Sequence, residues 1–313
     1  MEAALAISRV GQFAAVMLVF GSSLFRLRFA PESERRVFGP WYRSVLIAAA
    51  IITLVSSLAW LDVEAGTMSG EWSNAANPHT VATVLYRTSF GQVWQLNLAA
   101  AAILLCVVFA PAKIQHLKSW SGIVVGLSAL LIATSTWTGH AVMHGGLMGD
   151  IHPFVQVVHV LAAATWLGSL PALGFALHSL RKPELAAQRS AAQHLLRGYS
   201  RMGYLAVGLV LLTGCIDTWF MVDSFGALFS TSYGRILVAK ISLFLLMMGV
   251  AAVNRFVLTP TIMHSGSNVT AAEASLRQLR RTVVLEQILG VSIIVLVSVL
   301  GTVAPPMPGH MEM

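Results

Sequence analysis

The chain has 313 residues, of which 56% are hydrophobic and only 11% charged, and its mean hydropathy is +0.74. A soluble domain carries about 25% charged residues, so this composition excludes an ordinary globular enzyme and reads as an integral membrane protein. The formal charge of +7 does not point to nucleic acid, because no basic, aromatic-interleaved patch lies outside the apolar runs.

A spanning helix needs about 20 apolar residues. Eight runs qualify: roughly Ala4–Phe25, Trp41–Leu61, Val93–Phe109, Trp120–Thr138, Phe154–Leu180, Met202–Met221, Ile236–Leu258 and Val283–Val303. Backbone polar groups in lipid must be satisfied within the segment, so helices are expected rather than strands. The start, Met1 to Ala6, lacks the positive region of a cleaved signal peptide, and the first helix is expected to be retained. The expected fold is all-α, a polytopic bundle of eight transmembrane helices over residues 1–304, followed by a Met/His-rich tail at 305–313. Cys106 and Cys215 sit inside apolar runs, so no disulfide framework is expected.

Sixteen of the 20 Lys and Arg residues fall in the loops after helices one, three, five and seven. The positive-inside rule makes those loops cytoplasmic and puts both termini outside. Met68, His79, His140, Met143, His144, Met148, His152, Met307, His310, Met311 and Met313 then lie on the outer side. A 4+4 parallel internal repeat is suggested by two pairs of matches. Thr88 to Gln92 opens helix three as Thr231 to Arg235 opens helix seven, and Gln12 stands nine residues before Gly21 as His159 stands nine before Gly168.

The richest stretch in ligands is Thr138 to Pro171, with His140, His144, His152 and His159 among Met143, Met148 and Asp150. Imidazole with thioether suits copper better than magnesium or calcium. His140 and His144 are four apart, an i,i+4 pair if helix four continues one turn. His152, His159 and Trp166 are spaced by seven, so they share one helix face, with about 10 Å between successive members. One ion cannot bridge His152 and His159 alone, and each is expected to find partners on other helices. His152 precedes Pro153, which suits the first turn of a helix. His159 lies within the membrane zone, where a polar residue faces the bundle interior. In the tail, Met307, His310, Met311 and Met313 form a soft-ligand arm kept extended by Pro and Gly. Asp217 with Lys240, and Arg255 with Glu286, are charges inside membrane runs and are expected to pair as structural braces.

Gly139-His140-Ala141, Ile151-His152 followed by His159, and Ala164-Thr165-Trp166-Leu167-Gly168 resemble the copper resistance protein D (CopD) family. So do the Phe90-Gly91 and Tyr233-Gly234 helix openings and the run from Asn254 to Pro260. The similarity covers nearly the whole chain. It implies an eight-helix protein of the bacterial inner membrane, acting in copper resistance or uptake with a periplasmic copper carrier of the CopC type. Relatives often carry histidine in helix one where this chain has Gln12. Glutamine is a poor copper ligand, so a symmetric site drawn from both halves is not expected. The Met/His tail is an addition beyond the family core.

Three functions compete at this level. The first is a copper carrier that accepts Cu(I) or Cu(II) outside and moves it inward. The second is a b-type haem electron carrier, which needs two inward histidines at similar depth on different helices. The third is a non-transporting copper chaperone or scaffold. No P-loop and no catalytic triad stand out, so neither an ATP-driven pump nor an enzyme is expected.

Overall fold

The computed structural model describes residues 1–29, 35–115, 117–138, 146–179, 186–222, 224, 226–264 and 269–304. Among them there are helices and no strands. Among the described residues, eight segments are long and apolar enough to cross a membrane, from Glu2–Phe29 to Ala272–Leu300. The protein is therefore a polytopic helix bundle. His140, Met143, His144, Met307, His310, Met311 and Met313 lie outside the described residues.

The first four spans are α1 (Glu2–Phe29), α2 (Arg35–Ser69), α4 (Ser89–Val108) and α6 (Lys118–Trp137). Two short helices, α3 (Pro78–Arg87) and α5 (Ala112–Gln115), connect them. Here α1 packs on α2 and α6, and α4 packs on α2 and α6, so the four close into a ring. The second four begin with α7 (Gly146–Leu167), continued by α8 (Leu170–Ser179), and α9 (Ala186–Met221). After the short α10 (Ala227–Ser230), α11 (Ser232–Val253) runs through a π-helical turn (Asn254–Leu258) into α12 (Thr259–His264), and α13 (Val269–Leu300) closes the series. This set is not a closed ring. The packing of α7 on α9 and of α11 on α13 is extensive, whereas α9 and α11 barely touch.

The two sets meet where α1 crosses the junction of α7 and α8. A Cβ on Gly168 would collide with the Met17 carbonyl, and one on Gly21 with the Gly168 backbone. Small residues at such a crossing let backbones approach, which is how helices associate in lipid without a hydrophobic driving force. The close approach coincides with a break in the run that the hydropathy made one helix over 154–180: α7 ends at Leu167 and α8 starts at Leu170. Ser22 Oγ donates to the buried Gly168 carbonyl at 3.3 Å.

Thr88 and Thr231 cap α4 and α11 in the same way. Each is extended, and its hydroxyl accepts from the backbone N–H three residues on, Gly91 at 3.0 Å and Gly234 at 2.9 Å. A side chain at Gly91 would strike α3, and one at Gly234 would strike α10. Arg9, one of the four basic residues outside the sixteen, is not a loop charge: its Nη1 donates to the Gly301 carbonyl at 2.6 Å, and it lies over the Trp60 ring. That bond sets the start of α1 beside the end of α13. At the basic face, Arg26 Nη2 donates to the Gln115 carbonyl at 2.9 Å, joining the end of α1 to the α4–α6 connection.

Candidate metal centre

The α7 face predicted from the seven-residue spacing looks onto α9. Pro153 does not open this helix; it lies inside α7, seven residues past the start, and removes one backbone donor there. His152 is fully buried, with Nε2 3.5 Å from Asp217 Oδ1. His159 Nδ1 is 4.0 Å from Asp217 Oδ2, and both side chains are 13% exposed. The two oxygens of one carboxylate thus face two histidines that are separate on their own helix. Phe220, on the same helix as Asp217, packs its ring 5.0 Å from that of His152.

Thr213 sets the chemistry of His159. Its Oγ1 lies 2.9 Å from His159 Nδ1 and donates to the Leu209 carbonyl at 2.5 Å. With its single proton engaged there, Thr213 accepts from the imidazole. Nδ1 therefore carries the hydrogen and Nε2 keeps its lone pair, the tautomer in which a histidine can bind a metal. Gly214 allows this approach, since a Cβ there would already sit 3.4 Å from His159 Cε1. Thr213 and Asp217 went unnoticed in the sequence as partners of the histidines. Their spacing of four, around a glycine, is the signal that places both on one face of α9.

His159 and Asp217 line an internal cavity of about 170 Å³ together with Arg9, Gln156, Tyr233 and Lys240. A second cavity of about 560 Å³ lies between α9 and α11, where those helices stand apart, and reaches His159 and Lys240 from the side. Most of its other walls are apolar, including Trp166, Phe244 and Met247. Among the described residues no three His, Cys, Asp or Glu side chains converge into a closed metal cage. His159 and Asp217 are donors along a cavity, with His152 buried beside Asp217.

The sequence paired Asp217 with Lys240 and Arg255 with Glu286. Asp217 shares its cavity with Lys240, but its contacts within 4.0 Å are with His152 and His159. Arg255 Nε donates to Tyr204 Oη at 2.7 Å and the guanidinium lies over that ring. Glu286 accepts from Asn254 Nδ2 at 2.5 Å instead. Arg255 and Glu286 line one cavity but do not form an ion pair: Arg255 turns onto Tyr204, and Glu286 takes the Asn254 amide. The haem reading wanted inward histidines on two helices; the buried pair seen here, His152 and His159, shares α7.

Gln12, at the place corresponding to His159 in the suggested repeat, sits in a different setting. Its Nε2 donates to Asn97 Oδ1 at 3.5 Å and Ser135 Oγ at 3.3 Å, while Ser57 donates to its Oε1 at 3.0 Å. Asn97 Nδ2 donates to Thr134 and Ser135 at 2.8 and 3.0 Å. This network is closed, and it holds no ionisable group.

A family model described as "Copper resistance protein D-like, N-terminal domain" matches residues 1–150, and one described as "Copper resistance protein D" matches 193–300. The chain is 31% identical over 311 residues to "Copper resistance protein D" of Pseudomonas syringae pv. tomato, covering 97% of each chain. It is 26% identical to "Inner membrane protein YebZ" of Escherichia coli (strain K12), covering 94% of this chain and 95% of that one. It is also 26% identical to "Copper transport protein CutJ" of Bacillus subtilis (strain 168), over 95% of this chain and 52% of the longer relative. With this similarity running through both sets of helices, the chain belongs to the copper resistance protein D family.

Proposed function

We propose that this protein is a copper carrier of the bacterial inner membrane, with both termini periplasmic, that takes copper from the periplasm and passes it into the helix bundle. The observation that carries the reading is the Asp217 carboxylate set between His152 and His159, beside a cavity, with Thr213 held against His159 Nδ1. A carboxylate flanked by imidazoles offers a cation both oxygen and nitrogen ligands. An open row of donors suits passage, because conduction needs binding weak enough to release the ion. The names of the relatives support copper as the cargo.

In this reading His152 and His159 are successive stations, and Thr213 fixes the ring of the second. His140, Met143 and His144 form the mouth that feeds them. The tail, with Met307, His310, Met311 and Met313, is a capture arm for Cu(I) or Cu(II) delivered by a CopC-type carrier. The chain acts as a carrier in one eight-helix unit, 1–304, and no catalytic step is assigned to it.

The test is cellular copper content and copper sensitivity, normalised to the amount of protein in the membrane. His159→Ala is expected to abolish copper-dependent function with the protein still inserted, and His144→Ala to be milder. Deletion of 305–313 should weaken acquisition only at limiting copper. Wild-type behaviour of the His159 variant would remove the carrier reading and leave His159 as a packing residue.

A further inference from the structure

The end of the first span meets the start of the sixth at Gly198. A Cβ there would lie 2.7 Å from Phe29 Cε1, so the last turn of α1 rests directly on α9. Phe29 packs edge-on against Phe25 and Tyr199, with ring centroids 5.6 and 6.5 Å apart. Contact between α1 and α9 is otherwise slight. A groove of about 440 Å³ opens at this joint, lined by Leu27, Arg28, Phe29, Arg197, Gly198 and Arg201. Its arginines come from both helices.

Other arginines at this end of the bundle have protein partners. Arg26 donates to the Gln115 carbonyl. Arg280 donates to the Leu177 carbonyl from Nε at 2.9 Å and from Nη2 at 2.7 Å. Arg28, Arg197 and Arg201 are exposed, and among the described residues none of them has a hydrogen bond or an ion pair. Arg197 and Arg201 are four apart, so they stand on one face of α9, where like charges repel. Arg28 adds a third positive charge from α1. The packing of Phe29 on Gly198 holds the three guanidiniums at one groove against that repulsion. An anion between them turns repulsion into attraction, and phosphate matches the planar fork of arginine.

The depth of the groove selects the source of the anion. Arg28 is the last residue but one of the span Glu2–Phe29, and Arg197 and Arg201 fall in the first two turns of the span Leu195–Met221. The groove therefore lies at the level of the bilayer phosphates. Leu27 and Phe29 give it an apolar wall, which suits the glycerol and acyl chains of a lipid and has no use for a free phosphate. The positive-inside rule puts this end on the cytoplasmic side, where basic pockets between spans take anionic headgroups.

We propose that Arg28, Arg197 and Arg201 form a binding site for the phosphate of an anionic phospholipid. The bound lipid bridges α1 of the first four-helix set and α9 of the second, where the two helices touch little. The site is independent of the copper reading and involves none of its residues.

The test is native mass spectrometry of the full chain in a non-ionic detergent, titrated with phosphatidylglycerol and, separately, with phosphatidylcholine. The wild type is expected to bind phosphatidylglycerol at least tenfold more tightly, and millimolar inorganic phosphate should not displace it. Loss of a charge-assisted hydrogen bond costs roughly tenfold in affinity. Arg28→Gln, Arg197→Gln and Arg201→Gln should therefore each weaken phosphatidylglycerol at least fivefold. Arg43→Gln removes the same charge from an exposed arginine near the start of α2, outside the groove, and should stay within about twofold of wild type. If a glutamine variant no longer elutes as folded protein without lipid, Arg201→Lys decides: it keeps the charge, loses the fork and should weaken phosphatidylglycerol at least threefold. Equal affinity for the two lipids overturns the site. So does an equal loss in Arg43→Gln, or wild-type affinity in the groove variants or in Arg201→Lys where that variant decides. Displacement by inorganic phosphate overturns the lipid as occupant and makes the groove a site for a soluble anion.

Discussion

Nine residues before Gly21 stands Gln12, and nine before Gly168 stands His159; nine after Thr88 stands Asn97, and nine after Thr231 stands Lys240. The frame around these pairs is alike: the two glycines cross each other, and the two threonines cap α4 and α11 with the same geometry. The side chains are not alike. In the first set Gln12, Ser57, Asn97, Thr134 and Ser135 satisfy one another, and the four helices close. In the second set the same places hold an imidazole and an ammonium, with a carboxylate between α7 and α9, and α9 stands away from α11. Neutral amides and hydroxyls can complete their hydrogen bonds in a closed bundle. Ionisable groups in lipid are kept beside cavities. In the proposed function the first set is the wall and the second is the side that handles the ion.

The comparison can be broken most severely at the crossing that joins the two sets. Gly168→Leu forces a branched side chain into the Met17 carbonyl, where backbone faces backbone and cannot yield. Overpacking of this kind costs on the order of 3 kcal/mol. The expected outcome is loss of most folded protein from detergent extracts, read by size-exclusion yield. Normal yield would mean that the two sets are not held together at this point.

A smaller effect comes from opening the closed network. Asn97→Leu leaves Gln12, Ser57, Thr134 and Ser135 without the amide they share. An unsatisfied buried polar group costs about 1–3 kcal/mol. A thermal melt should fall accordingly, with copper affinity unchanged within about twofold. A change in copper affinity larger than in stability would move the ion site into the first set.

The smallest effect concerns the caps. Thr88→Ala and Thr231→Ala each remove one hydroxyl from an N-terminus, worth about 1 kcal/mol. The two should lower the melting temperature by similar amounts, since their bonds to Gly91 and Gly234 match. Unequal losses would show that the shared frame is less alike in energy than in geometry.

The spans were legible because hydropathy and positive charge act along the sequence alone. So was the common face of His152 and His159, which needs only the helical period. The junction at Gly168 was not, because the run is apolar throughout and the break follows from what α1 presses against it. The charge pairs were read from depth, and depth does not give direction around a helix axis. Asp217 turns to α7, and Arg255 turns to Tyr204 on α9. Thr213 was invisible for another reason: a threonine within a membrane helix ordinarily bonds its own backbone, as this one does to Leu209, and only the tertiary fold shows the imidazole it also receives. Arg9 stands outside the charge rule for a reason the local sequence does not carry: its partner, the Gly301 carbonyl, lies nearly three hundred residues away.

The central claim is that copper is handled by the second set through His159 and not by its counterpart in the first. Equilibrium copper titration of the purified protein, compared for wild type, His159→Ala and Gln12→Ala, tests it most directly. Loss of an outer-shell partner lowers metal affinity roughly 10–100-fold, and removal of His159 itself should cost at least as much, with Gln12→Ala within about twofold of wild type. Equal weakening by both variants, or wild-type affinity in His159→Ala, would contradict the account.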